Sequence, residues 1–174
     1  MKIVLLGYMG SGKSTVSKQL AGALDIPFTD LDAYLESKEK ASIREIFNDK
    51  GEIYFRKQES KYLQELLQDR KAGVLAVGGG TPCYGNNMDL IKKHSLSIYL
   101  KGSIPTIVQR LKKEKAKRPL IASLNEDQLT EFVAKHLFER RNFYEQAFRI
   151  LSIDKRTVKE LVLELQHIIQ DELI

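Results

Sequence analysis

The stretch GYMGSGKST, residues 7–15, constrains the fold more than any other part of the chain. It places Gly7, Gly12, Lys13 and Ser14 in the pattern G-x-x-x-x-G-K-[ST], directly after the apolar run KIVLL and before a segment of helical periodicity. Glycines let the backbone turn so that successive N–H groups converge, and the start of the following helix adds a partial positive charge. A strand, this loop and a helix in succession therefore predict the phosphate-binding unit of an α/β protein.

The nucleotide-binding residues expected from this loop are contiguous. The Lys13 ammonium can reach the β- and γ-phosphates of a nucleoside triphosphate, and the Ser14 hydroxyl can ligate Mg²⁺. Nucleoside triphosphate binding is the strongest inference from the sequence. The expected contacts are Gly10, Ser11, Gly12, Lys13, Ser14 and Thr15.

Short apolar runs with strand character alternate with segments of helical periodicity along the chain. Strands are predicted at residues 2–6, 26–30, 73–77, 96–100 and 149–153. Helices are predicted at residues 13–24, 32–70 with a break near 48–51, 86–94, from 103 or 104 onward, 126–147 and 157–172. This alternation predicts a three-layer α/β P-loop fold, in which helices flank a five-stranded parallel sheet with right-handed crossovers.

Two segments are longer than a crossover between parallel strands requires. The first is the helical stretch at about residues 32–70, and the second is a partly aperiodic, proline-containing stretch at about residues 112–125. Ligands of open α/β sheets bind at the carboxyl ends of the strands, where such extra segments lie. We therefore expect one domain over residues 1–174, with a helical substrate-binding insert and a lid loop.

Composition argues against several classes of protein. The charge of +5, from 28 basic and 23 acidic residues, is mild, and aromatic residues are not interleaved with basic ones as on a nucleic-acid platform. No apolar run approaches the ~18 residues that a membrane span needs. The single cysteine, Cys83, excludes an internal disulfide and fits a reducing compartment. We expect a cytoplasmic protein that binds neither nucleic acid nor membrane and, because no coiled-coil pattern is present, a monomer.

Asp30 and Asp32 lie in the stretch FTDLDAYLE, where the second predicted strand gives way to a helix. Positions two apart in an extended segment face the same side, so both carboxylates would point one way. The third predicted strand ends in GGG, without the aspartate that holds Mg²⁺ in many P-loop proteins. Asp30 is therefore the expected Mg²⁺ partner, through water, because Mg²⁺ gives up its hydration reluctantly. Asp32 could also cap the following helix.

The phosphate-binding loop by itself does not separate GTPases, ATP-driven motors and small-molecule kinases. The chain contains no N-K-x-D stretch that would read guanine, which argues against a GTPase. It is also too short to add the coupling machinery of a motor. These observations favour a kinase of a small molecule.

A set of short motifs occurs in order along the chain: GYMGSGKST, then DLD, FRKQE at 55–59, GGGTP at 78–82 and RPL at 118–120. With these motifs the chain resembles the shikimate kinases, a nucleoside-monophosphate-kinase-like family of P-loop proteins. The resemblance spans essentially the whole chain. It implies transfer of the γ-phosphoryl group of ATP to the 3-hydroxyl of shikimate, with Mg²⁺ as cofactor, on the route to chorismate and the aromatic amino acids.

The resemblance also implies roles for residues beyond the phosphate-binding loop. Asp32 would hydrogen-bond the reacting hydroxyl; with an ordinary pKa near ~3.9 it would be a weak base, so positioning is its larger expected role. Arg56 in FRKQE would bind the substrate carboxylate, for which a planar guanidinium is suited. Glu59 could orient Arg56, although Arg56 could instead form a surface pair along a helix with Glu52 or Glu59. The backbone expected to approach the substrate is that of Gly78, Gly79 and Gly80.

Two further arginines are implied by the resemblance. Arg118 in RPL would be a lid residue that contacts ATP and neutralises charge on the transferring phosphoryl group, which makes it catalytic together with Lys13 and Asp32. Arg140 would be a second contact for the carboxylate, because it stands four residues before a tyrosine in RRNFY. The family often has a proline between these two positions, and this chain has none. The neighbouring Arg141 leaves the choice between two arginines open.

Other functions stay open at this point. One is a related kinase that phosphorylates gluconate or a nucleotide, and another is a non-catalytic switch in which ATP binding alone moves the lid. Residues 155–157 follow the last predicted strand, where relatives contact adenine, and the sequence does not single out one of them.

Overall fold

The fold is built on a parallel sheet whose strands alternate with helices along the chain. The computed structural model describes residues 1–115 and 120–172. The strands are β1 (Lys2–Leu6), β2 (Phe28–Asp30), β3 (Gly73–Ala76), β4 (Leu96–Lys101) and β5 (Arg149–Ser152). The helices of the described residues include α1 (Lys13–Leu24), α2 (Leu31–Glu39), α3 (Ile43–Gln68), a 3-10 helix (Thr81–Cys83), α4 (Asn87–His94), α5 (Ile104–Glu114), α6 (Glu126–Tyr144) and α7 (Val158–Asp171).

The first strand, β1, lies at the centre of the sheet. The strand order is β2-β3-β1-β4-β5, and all neighbouring pairs are parallel. Val4 of β1 pairs with Leu75 of β3 on one side and with Ser97 of β4 on the other. Because parallel strands end at the same edge, β1 places the phosphate-binding loop in the middle of that edge. The predicted five-stranded parallel sheet is confirmed.

The apolar residues of β1 alternate between two cores, one on each face of the sheet. Ile3 and Leu5 pack into a core with α1, α5, α6 and α7, whereas Val4 and Leu6 pack into a core with α2, α3 and α4. Alternation with a period of two is the normal geometry of a strand, and burial on both faces explains why β1 is apolar throughout Ile3 to Leu6. The two cores fix the helices on either face and hold the strand ends that carry the site.

The insert consists of two helices rather than one broken helix. The first, α2, ends where Lys40 adopts a left-handed conformation with a φ of 55°, and α3 begins after its N-cap, Ser42. The Ser42 hydroxyl accepts from the Glu45 N–H, and the Glu45 carboxylate accepts from the Ser42 N–H at 2.7 Å, which forms a capping box. The break predicted at residues 48–51 is present as a kink at Gly51, where φ is 80°, inside α3.

Several predicted boundaries are shifted, three of them with a bearing on the fold or the lid. The strand expected from residue 26 begins at Phe28, because Pro27 has no N–H to donate to the sheet. The helix expected to reach residue 147 ends at Tyr144, after which residues 145–147 form hydrogen-bonded turns. Residues 112–114, assigned to the lid, continue α5. Within the described ranges, no helix is both long enough and apolar enough to span a membrane.

Candidate active site

A cavity of about 430 Å³ opens at the carboxyl ends of β1, β2 and β3. Its walls come from the phosphate-binding loop, the start of α2, the glycines after β3 and the end of α5. The lining residues are Met9, Gly10, Gly12, Lys13, Ser14, Thr15, Asp30, Asp32, Val77, Gly78, Gly79, Arg110, Lys113 and Glu114. Most residues predicted to bind nucleotide or metal therefore face one cavity, whereas Ser11 is buried within the loop and is not part of the wall.

The phosphate-binding loop takes a backbone shape that requires its glycines. Gly10 and Gly12 have φ angles of 79° and 87°, in the left-handed region that a side chain would strain. Gly12 is also the N-cap of α1 and has no side chain of its own to cap the N–H groups of the first helical turn. The end of α1 therefore presents backbone donors and the positive end of its dipole to an anionic phosphate.

Two cationic side chains contact carbonyl oxygens of the phosphate-binding loop. Lys13 donates from Nζ to the Tyr8 carbonyl at 3.0 Å. Arg110, from α5, donates from Nη1 to the Ser11 carbonyl at 3.2 Å. Both cations line the cavity and would face a phosphate group bound there. Lys13 follows from the motif, whereas Arg110 was missed, because nothing distinguishes it from the other basic residues of its helix.

Asp30 stands at the junction of β2 and α2 and uses both of its carboxylate oxygens. Oδ1 accepts from the backbone N–H groups of Asp32 and Ala33, at 3.1 and 3.3 Å, so Asp30 is the N-cap of α2. The cap considered for Asp32 therefore belongs to Asp30, because the backbone is already helical from Leu31. Oδ2 of Asp30 accepts from the Ser14 hydroxyl at 2.9 Å. The two residues predicted as Mg²⁺ partners are thus in contact, and both offer the oxygen ligands that Mg²⁺ prefers.

Asp32 lies in the first turn of α2, and its surroundings make it less acidic than an ordinary aspartate. The segment is extended only to Asp30, yet the carboxylates of Asp30 and Asp32 line the same cavity, as predicted. Burial, followed by the nearby carboxylates of Asp30 and Glu59, raises the pKa of Asp32 to about 6, against a smaller opposing effect of Lys13. The ordinary pKa assumed from the sequence is therefore wrong for this residue.

The glycines after β3 lie beside two guanidinium groups. A β-carbon on Gly80 would lie 2.7 Å from Nη2 of Arg56, a distance closer than side chains tolerate. A β-carbon on Gly79 would lie 3.4 Å from Nη1 of Arg140. The bare backbone of Gly80 thus lets Arg56 of α3 come close, and Arg140 of α6 approaches the same loop at Gly79. Among the described residues, neither of these arginines lines the cavity next to the phosphate-binding loop, but Gly78 and Gly79 do, so the arginines lie beside that cavity and share the glycines with it.

Arg56 is held by acids on its own helix. Its Nη1 donates to Glu59 Oε2 at 2.8 Å, and its Nε lies 3.6 Å from Glu52 Oε1. The Glu52 side chain is 67% exposed, whereas the Glu59 side chain is only 1% exposed. The contact with Glu52 is therefore the surface pair considered above, and the contact with Glu59 is a buried one that fixes the direction of the guanidinium. The suggestion that Glu59 could orient Arg56 agrees with this geometry.

The two neighbouring arginines of α6 face different surroundings. Arg141 is 66% exposed and donates from Nε to Glu145 at 2.9 Å. Consecutive helical residues point about 100° apart. Arg140 therefore faces the three glycines at residues 78–80, called the glycine loop below, while Arg141 faces solvent. Tyr144, one turn after Arg140, donates its hydroxyl to the Gly79 carbonyl at 2.5 Å. The arginine and the tyrosine of the RRNFY stretch therefore contact the same loop.

Some predicted residues stay untested, and some contacts were missed. Arg118 lies outside the described residues, so its role on the lid remains a prediction, as does the adenine contact at 155–157. Tyr8, inside the phosphate-binding loop, forms a 2.9 Å hydrogen bond with Nδ1 of His136 on α6, and no sequence pattern links these two positions.

A parallel sheet with this loop on its central strand, beside groups suited to a hydroxyl and a carboxylate, defines a P-loop kinase of small molecules. The family model described as shikimate kinase matches residues 9–170, which is most of the chain. The chain therefore belongs to the shikimate kinase family.

Individual relatives match along nearly the whole chain. A shikimate kinase from Flavobacterium johnsoniae is 48% identical over 169 residues, covering 97% of this chain and 98% of the relative. The crystal structure of shikimate kinase from Bacteroides thetaiotaomicron has a TM-score of 0.90 at 32% identity and covers 98% of both chains. A shikimate kinase from Acinetobacter baumannii, solved in complex with shikimate, has a TM-score of 0.86 at 30% identity and covers 98% of this chain and 93% of that one.

Proposed function

We propose that this protein transfers the γ-phosphoryl group of ATP to the 3-hydroxyl of shikimate, giving shikimate 3-phosphate and ADP. The observation that carries the proposal is the grouping around the glycine loop, where Arg56 and Arg140 approach from two helices and Asp32 lies beside Gly78. Shikimate has one carboxylate and three hydroxyl groups, so it needs cations for its acid and an acceptor for the reacting hydroxyl. Both kinds of group lie next to a phosphate-binding loop, and the family membership supports the same reaction.

The nucleotide side of the reaction is assigned to the phosphate-binding loop and α5. The N-terminus of α1 and the loop backbone would bind the phosphates, and Lys13 and Arg110 would add positive charge. Such charge stabilises the transferring phosphoryl group, whose transition state is loose and spreads negative charge over its oxygens. Arg118, carried by the lid, would add a further cation and exclude water on closure, so that ATP is not hydrolysed. The loop residues in this role are Gly10, Ser11, Gly12, Lys13, Ser14 and Thr15.

Ser14 and Asp30 fit the oxygen-rich surroundings that a magnesium ion requires. Their side-chain oxygens lie 2.9 Å apart at the cavity wall, and the second oxygen of Asp30 is fixed by its role as helix cap. We assign Ser14 as a direct ligand and Asp30 as a partner through water. When bound, the ion would neutralise charge on the β- and γ-phosphate oxygens.

Asp32 is assigned to the reacting hydroxyl. Its carboxylate would accept a hydrogen bond from the 3-hydroxyl and hold that oxygen towards the γ-phosphate. The two reacting groups would then meet in a fixed orientation, which makes the step effectively unimolecular. With a pKa of about 6, Asp32 is ionised at neutral pH and is a better proton acceptor than an ordinary aspartate. It can therefore take the proton as the new P–O bond forms.

The substrate acid is assigned to the two arginines beside the glycine loop. The guanidinium groups of Arg56 and Arg140 would bind the carboxylate, and the backbone of the Gly78, Gly79 and Gly80 loop would approach the ring. We further propose that the helical insert, made of α2 and α3, and a lid that follows α5 and extends to about residue 125 belong to one domain over residues 1–174, which acts as a cytoplasmic monomer. Sedimentation of the purified protein would test the oligomeric state.

A coupled assay with a panel of acceptors tests the proposed function. Purified protein with Mg²⁺ and ATP is given shikimate, gluconate, a nucleoside monophosphate or no acceptor, and ADP release is followed. We expect ADP release that depends on shikimate. ADP release with gluconate or the nucleotide alone would instead identify another kinase. ATP binding without ADP release under any condition would indicate a non-catalytic switch.

A further inference from the structure

A row of buried polar side chains runs behind the glycine loop and ends at Arg56. Asn87 donates from Nδ2 to the Thr81 carbonyl at 2.9 Å. Thr81 donates from its hydroxyl to Glu59 Oε1 at 2.6 Å. Glu59 accepts on its other oxygen, Oε2, from Arg56 Nη1 at 2.8 Å. The first three residues are 0%, 0% and 1% exposed, so the row is shielded from water until it reaches the guanidinium.

The buried carboxylate of Glu59 depends on both of its hydrogen bonds. A carboxylate removed from water is costly unless each oxygen finds a donor. Thr81 supplies the donor for Oε1 and Arg56 supplies the donor for Oε2. With Thr81 donating to Oε1, Arg56 donates to Oε2 through Nη1, and both Nη1 and Nη2 lie close to Gly80, 2.9 and 2.7 Å from a β-carbon placed there. The Thr81 hydroxyl therefore affects how many N–H groups of the Arg56 guanidinium bind to Glu59.

Without that hydroxyl, the same carboxylate would draw on Arg56 for a second hydrogen bond. Guanidinium and carboxylate groups readily form two parallel N–H···O bonds, and such a pair would turn the fork of Arg56 towards Glu59. The edge of Arg56 that faces the glycine loop would then no longer be available to bind a substrate carboxylate. Glu59 would keep its hydrogen bonds, so the damage would fall on recognition of the acid.

Thr81 also fixes the glycine loop to α3. Its N–H donates to the Gly78 carbonyl at 3.1 Å, at the start of the 3-10 helix. A β-carbon on Gly78 would lie 3.0 Å from the Thr81 hydroxyl and 3.3 Å from Asp32 Oδ1. One threonine thus contacts the loop through its backbone and the acid that holds Arg56 through its side chain.

We propose that Thr81, braced by Asn87, is a positioning residue that holds Glu59 so that Arg56 presents its free edge to the carboxylate of the substrate. The proposal rests on the proposed function, because it takes Arg56 as the acid-binding residue. It assigns no chemical step to Thr81. Thr81 acts on binding of the acid acceptor and leaves binding of ATP unchanged.

Substitutions that separate the hydroxyl from the shape of the side chain test the proposal. Thr81→Val removes the hydroxyl at nearly constant shape, Thr81→Ala removes it with less volume, and Thr81→Ser keeps it. Thr130→Val, on the exposed face of α6, is the matched control. The Michaelis constants for shikimate and for ATP, kcat and the melting temperature are measured for each variant.

We expect the valine and alanine variants to raise KM for shikimate about tenfold or more, since the hydrogen bond lost is one to a charged group. KM for ATP should stay within about twofold, and the serine variant should return KM for shikimate to within about threefold of wild type. The proposal is overturned if both Michaelis constants rise equally, if only the melting temperature falls, or if serine fails to restore binding. Asn87→Ala should give the same split with a smaller rise.

The wild-type protein in the same assay separates this proposal from the proposed function. Absence of shikimate phosphorylation by the wild type would remove both. A wild type that phosphorylates shikimate, together with hydroxyl-free variants whose KM for shikimate is unchanged, would remove only the role of Thr81. If valine prevents folding, the alanine variant decides the outcome by the same criteria.

Discussion

The phosphate-binding loop and the region around the glycine loop recognise their ligands by different means. The first is one contiguous stretch, residues 7–15, whose backbone and helix terminus provide most of the donors. The second is assembled from side chains of α2, α3 and α6 around a short bare loop. Backbone donors stay in place when a side chain changes, whereas an assembled set of side chains loses its function with any one member. We therefore expect single substitutions around the glycine loop to weaken use of the acceptor while use of ATP changes little.

The largest selective effect is expected for Asp32→Asn. The amide keeps the shape of the carboxylate and cannot take a proton, so kcat should fall about 10²- to 10⁴-fold, the range for loss of a general acid–base group. Binding of ADP, measured by calorimetry, should be largely unchanged because the phosphate-binding loop is intact. Turnover close to wild type would remove Asp32 from the mechanism.

Arg56→Lys should separate the two substrates. A lysine offers a point charge in place of a planar fork, so KM for shikimate should rise by about tenfold or more, whereas KM for ATP should change by less than about twofold. Steady-state kinetics with each substrate varied in turn measures both constants. An equal rise in the two constants would contradict the assignment of Arg56 to the carboxylate.

Arg140 and Arg141 offer a matched pair of neighbouring substitutions. Arg140→Lys should raise KM for shikimate about tenfold, since Arg140 lies beside Gly79. Arg141→Lys should change it by less than about twofold, because an exposed ion pair contributes little. The reverse pattern would show that the other face of α6 binds the substrate.

The pKa of Asp32 gives the acceptor side a pH dependence. With a raised pKa of about 6, Asp32 is protonated below that pH and ionised above it. At saturating ATP, kcat/KM for shikimate should therefore rise with pH up to about 6 and then level off, with a loss of about tenfold per unit on the acid side. Circular dichroism at each pH confirms that the protein stays folded. If kcat/KM for shikimate instead levels off already near pH 4, Asp32 titrates as an ordinary aspartate.

The smallest effect is expected for Tyr8→Phe, although Tyr8 lies inside the phosphate-binding loop. The change removes the hydrogen bond to His136 and should lower the free energy of unfolding by about 1 kcal/mol. KM for ATP should stay within about twofold, because the loop binds phosphate mainly through its backbone N–H groups, which this substitution leaves in place. A rise of tenfold or more in that constant would show that the loop depends on its side chains as strongly as the acceptor site does. Denaturant unfolding and steady-state kinetics provide the two readouts.

The same contrast explains which features could be predicted from the sequence. The loop at 7–15 is local, so its strand, turn and helix follow from neighbouring residues alone. The parallel sheet follows from alternating apolar runs, each of which carries its own periodicity. The boundary between α2 and α3 was missed, although the stretch SIRE has the spacing of a capping box, because no glycine or proline marks the end of α2.

The acceptor site could be anticipated only through the family resemblance. The bond between Thr81 and Glu59 joins residues that are distant in sequence, and no local pattern indicates it. The choice of Arg140 over Arg141 depends on the rotation of α6 relative to the sheet, which its packing determines. The raised pKa of Asp32 arises from burial beside two other acids, and only the folded chain brings these together.

The product formed by the wild-type protein tests the central claim most directly. Shikimate is incubated with the protein, Mg²⁺ and ATP, and phosphorus and proton NMR locate the phosphate on the product. We predict an ester at the 3-hydroxyl of shikimate, formed in equal amount with ADP. ADP release that does not depend on shikimate, or a phosphate ester at another hydroxyl, would contradict the account.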